Sequence, residues 1–118
     1  MQGILISIGV SGSRLVRPRG GRPTEQWLRA GIDGGRAVLV PGFTTIKHEG
    51  RLRRCVVFCD DAGKERAMPI NLAATKLWDE ALRRNGHLGL FRPGKATADV
   101  LVGPVAIVVG DDDFLDAL

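Results

Sequence analysis

DVLVGPVAIVV, residues 99–109, is the most hydrophobic strand-like stretch of this 118-residue chain. It is only about half as long as a membrane-spanning helix. It also contains Gly103 and Pro104, and a proline removes one donor from the hydrogen-bond ladder of a sheet. We therefore predict a buried strand over residues 99–109 that is bent or bulged at Gly103-Pro104.

Further strand signals lie upstream of this stretch. Residues 3–9 alternate isoleucines with other side chains, which is typical of a mostly buried strand. Residues 52–59 also alternate between two faces, and both faces become apolar towards the end of the run. Shorter strands are predicted over residues 36–40, 43–47 and 66–68. The last of these would return as a hairpin against residues 52–59.

Two helices are predicted from their capping residues. Thr24 can cap a short helix that ends near residues 31–35, and Asn71 can cap a longer one that ends at residues 85–86. Two halves of this chain would each be too small to bury an adequate core. The sequence therefore predicts one α+β domain over residues 1–118, with a mixed or antiparallel sheet of about five strands and two helices. The acidic tail, residues 111–118, would dock through Phe114 and Leu115.

Charge is segregated along the chain. Residues 1–59 carry a net charge of +7 and residues 60–118 a net charge of −3, within a total of +4. Residues 10–23 have the composition of a basic loop, with at most a short strand over residues 14–16. If this loop lies beside the start of the 52–59 strand, the arginines of both segments form one basic surface for an anionic partner. These predicted binding residues are Arg14, Arg17, Arg19, Arg22, Arg51, Arg53 and Arg54.

No catalytic or metal-binding pattern is evident. Cys55, Cys59, His48 and His87 carry zinc-binding atoms, but an extended strand would hold the two cysteine Cα atoms about 13 Å apart. We expect free, packed thiols. The three aspartates at 111–113 carry oxygen ligands suited to Mg²⁺ or Ca²⁺, yet adjacent acids in a tail are more often solvated. We expect a non-enzymatic protein without a catalytic residue, metal or cofactor.

A glycine-containing segment, residues 9–13, follows the first strand. Exposed backbone N–H groups there could cradle a phosphate, although neither the Walker nor the dinucleotide-binding motif is complete. One alternative is thus a nucleotide-binding module in which residues 9–13 and 69–71 surround the ligand. Asn71 is the candidate binding residue of this second segment.

Four segments of the second half carry a resemblance to a known family: DAGK at 61–64, MPINLAAT at 68–75, DVLVG at 99–103 and IVVGD at 107–111. Over roughly residues 36–113 the chain resembles an uncharacterised family of small proteins, a domain of unknown function found mainly in phages, plasmids and integrated elements. The resemblance implies a mobile-element accessory protein. The family supplies no established activity or catalytic residues, and the arginine-rich segment and residues 88–98 depart from its pattern.

These observations lead to one principal expectation and two alternatives. We expect a phage or mobile-element accessory protein that binds a host protein or a protein–nucleic-acid complex, and that inhibits a defence system such as CRISPR or restriction. Direct nucleic-acid binding by the same arginines, and the nucleotide-binding module, stay open. The amino terminus lacks the pattern of a secretory signal, so the expected location is the host cytoplasm, without membrane attachment.

Overall fold

The computed structural model describes residues 1–91 and 99–118. Six strands form an antiparallel sheet with three helices, which confirms the predicted α+β class. The strands are β1 (Gln2–Ile8), β2 (Arg14–Gly20), β3 (Ala37–Leu39), β4 (Thr45–His48), β5 (Arg51–Asp60) and β6 (Val105–Gly110). The helices are α1 (Glu25–Gly31), α2 (Leu72–Arg84) and α3 (Asp112–Asp116). No helix in the described parts of the chain is long and apolar enough to cross a bilayer.

The sheet has the strand order β2-β1-β6-β5-β3. The hydrophobic strand β6 lies in its middle and pairs with β1 on one side and with β5 on the other. β3 pairs with the C-terminal part of β5 and β4 with its N-terminal part. One edge of the sheet is therefore β2, and the other is an edge interrupted between β3 and β4.

The helices cover both faces of the sheet. Ile6 and Ile8 of β1 pack with Trp78 of α2 in one hydrophobic core. Leu5, which points to the other face, packs in a second core with Phe114 of α3. This alternation follows from the two-residue period of a strand. Phe114 and Leu115 are buried, which confirms that the acidic tail docks onto the domain.

The N-terminus of α2 is fixed by Asn71, which is completely buried. Its side-chain oxygen accepts from the N–H of Ala74 at 3.0 Å, which confirms the predicted cap. Its amide nitrogen donates to the carbonyl oxygens of Ile8 at 2.9 Å and Gly103 at 2.8 Å. One side chain thus joins α2 to the end of β1 and to the turn that precedes β6.

The basic segment, residues 10–23, contains a longer strand than the short one suggested over residues 14–16, and the loop interpretation was wrong at residues 17–20. The segment forms β2, a seven-residue strand that pairs with β1 along its whole length. Leu15 and Val16 alternate there with arginines and a proline, and both apolar side chains remain exposed. The strand was difficult to predict over residues 17–20 because an edge strand buries little apolar surface. Its sequence therefore lacks the usual hydrophobic alternation.

Pro18 is compatible with β2 because of its register. The N–H of Gly21 donates to the oxygen of Met1, which fixes one hydrogen-bonded pair at the end of the hairpin. Hydrogen-bonded and non-hydrogen-bonded pairs alternate in an antiparallel ladder. Pro18, opposite Ile4, therefore occupies a non-hydrogen-bonded position. Its missing N–H would have pointed away from β1, so the β1–β2 ladder loses no bond.

The predicted return strand at residues 66–68 is absent, and turns occupy residues 61–67 instead. The buried carboxylate of Asp60 explains this difference. It accepts from the N–H of Ala62 at 3.0 Å and forms an ion pair with Arg66. These contacts fold the segment back on itself, and the N–H of Met68 then donates to the oxygen of Gly63.

The last strand is shorter than predicted, because β6 begins only after Pro104. Gly103 has a positive φ of 68°, which turns the chain away from the sheet. Its N–H donates to the oxygen of Pro69, and Val102 forms an isolated bridge with Ile70. In the segment 88–98, Leu90 is buried and Phe91 is half-buried, and residues 92–98 lie outside the described part of the chain.

Candidate cationic binding surface

Six of the seven predicted binding arginines lie on two separate strands, and Arg22 lies in the bend that follows β2. Arg14, Arg17 and Arg19 lie on β2, whereas Arg51, Arg53 and Arg54 lie at the start of β5. β1 and β6 are inserted between them, so the two strands are about 14 Å apart. The basic segment therefore does not lie beside the start of β5 as the single-surface hypothesis required. The order of strands in the sheet separates the two groups.

The register further divides the arginines between the two faces of the sheet. Arg17 and Arg19 are paired with Leu5 and Gly3, so they share the face that carries α1 and α3. Arg53 is paired with Ile46, which is buried in the core under α2. The β2 arginines at 17 and 19 consequently form a cationic row on one face of the sheet edge.

Arg19 and Arg53 nevertheless line one common cleft of about 530 Å³ at the end of the sheet. We call it the end cleft; Ile4, Val109 and Gly110 are among its lining residues. Both arginines are half-buried there. In this cleft the structure brings a β2 arginine and a β5 arginine to one site.

Asp111 is the acidic residue of the end cleft. Its carboxylate accepts from the N–H of Phe114 at 2.8 Å and from the N–H of Gln2 at 2.9 Å. These two N–H donors hold the pKa of Asp111 below its ordinary value. The α-amino group of Met1 lies 3.6 Å away. The carboxylate of Asp111 is thus hydrogen-bonded and ion-paired within the protein, at the start of α3.

Arg54 differs from the other predicted binding arginines. It forms ion pairs with Asp112 at 3.0 Å and Asp116 at 3.4 Å, both on α3. It therefore helps to hold α3 against β5. Within residues 1–91 and 99–118, no ion pair with a carboxylate is formed by Arg14, Arg17, Arg19, Arg22, Arg51 or Arg53. We call these six arginines together the cationic surface, although they are spread over separate elements and over both faces of the sheet.

A second cleft, of about 380 Å³, lies beside β3 and has the opposite character. Its lining includes Asp61, Glu65 and Asp99 around a single lysine, Lys64. Lys64 pairs with Asp99 at 2.6 Å. The charge segregation in the sequence is therefore also a segregation in space, with arginines at the β2 edge and carboxylates near β3.

Asn71 lies beside residues 9–13, as the nucleotide-binding hypothesis requires, but its side chain is hydrogen-bonded within the protein. The N–H of Gly9 donates to the oxygen of Ser13 and the N–H of Gly12 to the oxygen of Gly9, so both donors serve the β1–β2 turn. The side chain of Asn71 donates to Ile8 beside this turn. Its side-chain hydrogen bonds are internal, and we assign it a structural role.

The two cysteines are free thiols on β5, as expected. Burial raises the pKa of Cys55 to about 12. Burial also raises the pKa of Cys59, with a further contribution from the nearby Asp60. A thiolate, the form that binds zinc, is therefore disfavoured at both positions. In the described residues no three His, Cys, Asp or Glu side chains converge as a metal site.

The thiols are expected to differ in reactivity. Cys55 is 3 % exposed, whereas Cys59 is partly exposed. At pH 8 a pKa of about 12 leaves a thiolate fraction of Cys55 on the order of 10⁻⁴. Iodoacetamide should therefore modify Cys59 first in the native protein, as followed by mass spectrometry. Both should react at similar rates in urea, and equal rates in the native protein would contradict the burial of Cys55.

The aromatic side chains of the described residues are buried or partly buried. Phe43, Phe58, Phe114 and Trp78 are buried in the two cores. Trp27 packs edge-to-face against Phe114 with ring centroids 5.6 Å apart. Proteins that bind single-stranded nucleic acids usually stack bases on exposed aromatic rings. The cationic surface offers charge and backbone groups for recognition instead of such a platform.

Comparison with protein-family models, with curated proteins and with solved structures gives no match to this chain. Candidate functional residues therefore follow from geometry and charge. Sequence analysis identified the arginines but missed that β2 is an edge strand. The sequence carried one indication of this strand. Leu15, Arg17 and Arg19 are two residues apart, so an extended chain places both arginines on one face.

Proposed function

We propose that this protein is a non-enzymatic accessory protein of a phage or other mobile genetic element. It acts in the host cytoplasm and binds a host protein or a protein–nucleic-acid complex through the cationic surface. Inhibition of a defence system such as CRISPR or restriction is the activity expected of this binding. The mobile-element setting rests on the family resemblance of residues 36–113.

The observation that carries the binding proposal is that the charges of Arg17 and Arg19 are not paired with carboxylates of the described residues. Both lie on the edge strand β2, and neither forms an ion pair with a carboxylate of the described residues. Other arginines in the same fold are paired: Arg54 with Asp112, and Arg66 with Asp60. Arg19 Nε donates to the carbonyl oxygen of Arg22 at 2.8 Å, so its charge is held in place without being neutralised. Arginines held on a strand without a carboxylate of the described residues are well placed to pair with carboxylates or phosphates of another molecule.

Several features favour a protein partner over a bare nucleic acid. A strand presents backbone N–H and C=O groups at its edge together with the arginines, and proteins recognise extended polypeptides through such groups. Leu15 and Val16 add exposed apolar surface at the same edge. Aromatic rings for base stacking are instead packed in the cores.

Replacing Arg17 and Arg19 together with glutamine tests the proposal. We expect the tagged protein to capture a host protein, and the double variant to bind that protein at least about tenfold more weakly, because charge-assisted contacts in an interface are lost. A variant with Arg36 and Lys76 both changed to glutamine has the same net charge and should bind normally. Affinities are measured by calorimetry with the purified partner.

An equal loss in both variants would show that net charge, and not the β2 row, drives the binding. Direct nucleic-acid binding is tested in parallel with single- and double-stranded oligonucleotides. An affinity that falls steeply with salt and depends on Arg17 and Arg19, without any captured protein, would replace the proposed function by nucleic-acid binding.

A further inference from the structure

The two edges of the sheet are built differently. The β3–β4 edge consists of strands of three and four residues, interrupted around Pro41-Gly42. The end of α2 also covers part of it, because Arg84 donates to the carbonyl oxygen of Thr45 at 3.0 Å. This edge is short, broken and partly occupied, as protected sheet edges usually are.

The β2 edge is continuous over seven residues. In the alternating ladder with β1, the residues at 14, 16, 18 and 20 direct their backbone groups away from β1. No hydrogen bond to another described residue uses the outward N–H of Arg14, Val16 or Gly20. Pro18 contributes an outward carbonyl only. Leu15 and Val16 are 54 % and 46 % exposed. The edge therefore carries free backbone donors and acceptors beside apolar side chains.

The arginines determine which strand this edge accepts. If two copies of β2 paired, Arg17 and Arg19 of both copies would come together on one face, and like charges across strands are destabilising. A strand with carboxylates opposite Arg17 and Arg19 would gain cross-strand ion pairs instead. The charge of the edge thus opposes a second copy of this chain and favours an acidic polypeptide.

We propose that β2 receives an extended acidic segment of a partner protein as an added antiparallel strand. The segment carries carboxylates at alternate positions, opposite Arg17 and Arg19, and apolar residues at the intervening positions, opposite Val16 and Pro18. Backbone hydrogen bonds hold the segment to β2, and the arginines select its charge. This inference rests on the proposed function and names the chemistry of its partner.

A synthetic peptide as long as β2, with alternating glutamate and valine, is the probe. In an antiparallel pairing the valines opposite Val16 direct their N–H groups to β2, whereas the glutamate N–H groups point away. N-methylation of the valines should therefore weaken binding by about tenfold or more, and N-methylation of the glutamates should have little effect. A peptide with lysine in place of glutamate should not bind.

The amide hydrogens of β2 supply a second readout. On binding of the glutamate–valine peptide, NMR hydrogen exchange should slow at Val16 and Gly20, whose N–H groups face outward, more than at Leu15 and Arg17, which already bond to β1. In Val16→Pro the outward N–H is removed without a loss to the β1–β2 ladder, as at Pro18. This variant should bind the peptide about tenfold more weakly or worse while keeping both arginines.

The outcomes separate this inference from the proposed function. Equal binding of the two N-methylated peptides, or no binding of the glutamate–valine peptide, overturns strand addition. In either case capture of a host protein that depends on Arg17 and Arg19 would still support the proposed function. Because the N-methylated peptides are tested on the unaltered protein, the result stands even if Val16→Pro does not fold. Equal binding of the lysine peptide would show that the arginines serve only to prevent self-association.

Discussion

Asn71→Ala is expected to lower the free energy of unfolding by about 4 kcal/mol. The helix cap contributes about 1 kcal/mol of this. The remainder arises because the buried carbonyl oxygen of Gly103 loses the donor Asn71, at about 1 to 3 kcal/mol for an unsatisfied group, and that of Ile8, which is also in the β1–β6 ladder, loses one of its hydrogen bonds, at about 1 kcal/mol. Urea denaturation with unchanged m-values measures the difference.

Two further variants test whether the hydrogen bonds donated by Asn71 cause the loss of stability. Thr24→Ala removes the cap of α1, which accepts from the N–H of Trp27 at an exposed site, and should cost only about 1 kcal/mol. Asn71→Asp keeps an acceptor for Ala74 but sets a carboxylate against two carbonyl oxygens, so it should be at least as unstable as Asn71→Ala. If Asn71→Asp were as stable as the unaltered protein, the two donated hydrogen bonds would be irrelevant.

Phe114→Ala is expected to destabilise the protein by about 3 to 5 kcal/mol, because it removes a fully buried aromatic ring. The ring lies against Gly3 of β1, where a Cβ atom would collide with it, and packs edge-to-face on Trp27. It thus joins α3 to β1 and α1. Truncating it leaves a cavity that these elements cannot close without moving. Thermal and urea unfolding both report the loss.

The matched control for this variant is Asp113→Ala in the same helix. Asp113 is exposed, and no ion pair joins it to another described residue, so this variant should change stability by less than about 0.5 kcal/mol. Phe114→Leu retains part of the apolar volume and should fall between the two. Equal unfolding midpoints for Phe114→Ala and Asp113→Ala would contradict the docking of α3.

Local chemistry explains which elements could be predicted from sequence. Thr24 and Asn71 mark helix starts because their side chains accept backbone N–H groups one turn later, which is a property of a few adjacent residues. The strands at β1 and β5 are recognisable because most residues of each are buried or partly buried, so their apolar residues alternate. The bounds of α1 and α2 were accordingly predicted to within a few residues.

Other elements depend on contacts between distant residues. The turns at residues 61–67 extend into the strand predicted at residues 66–68 because Asp60 is buried beside Arg66, and the residues next to them in sequence give no sign of that pairing. The helix α3 begins at Asp111, whose capping carboxylate is also held by Gln2 at the other end of the sequence. Neither contact can be deduced from neighbouring residues.

The candidate site likewise has features that depend on composition and features that depend on contacts between distant residues. Charge counting identified the arginines, because an excess of arginine over carboxylate is visible in the sequence. Their arrangement depends on the strand order, which inserts β1 and β6 between β2 and β5. For the same reason Asn71, identified as a polar residue before a helix, could not be distinguished as structural until its three hydrogen-bond partners were known.

The position of β6 has a consequence for how the protein is made. This strand is the middle of the sheet, yet all other strands precede it in the chain. The β1–β2 hairpin and the β3–β5 segment do not pair with each other, so they remain unjoined until residues 105–110 have been synthesised. Folding must then insert β6, a nearly fully apolar strand, between the unpaired edges of β1 and β5. Such a step has high contact order, and a nascent chain is most dependent on chaperones while it takes place.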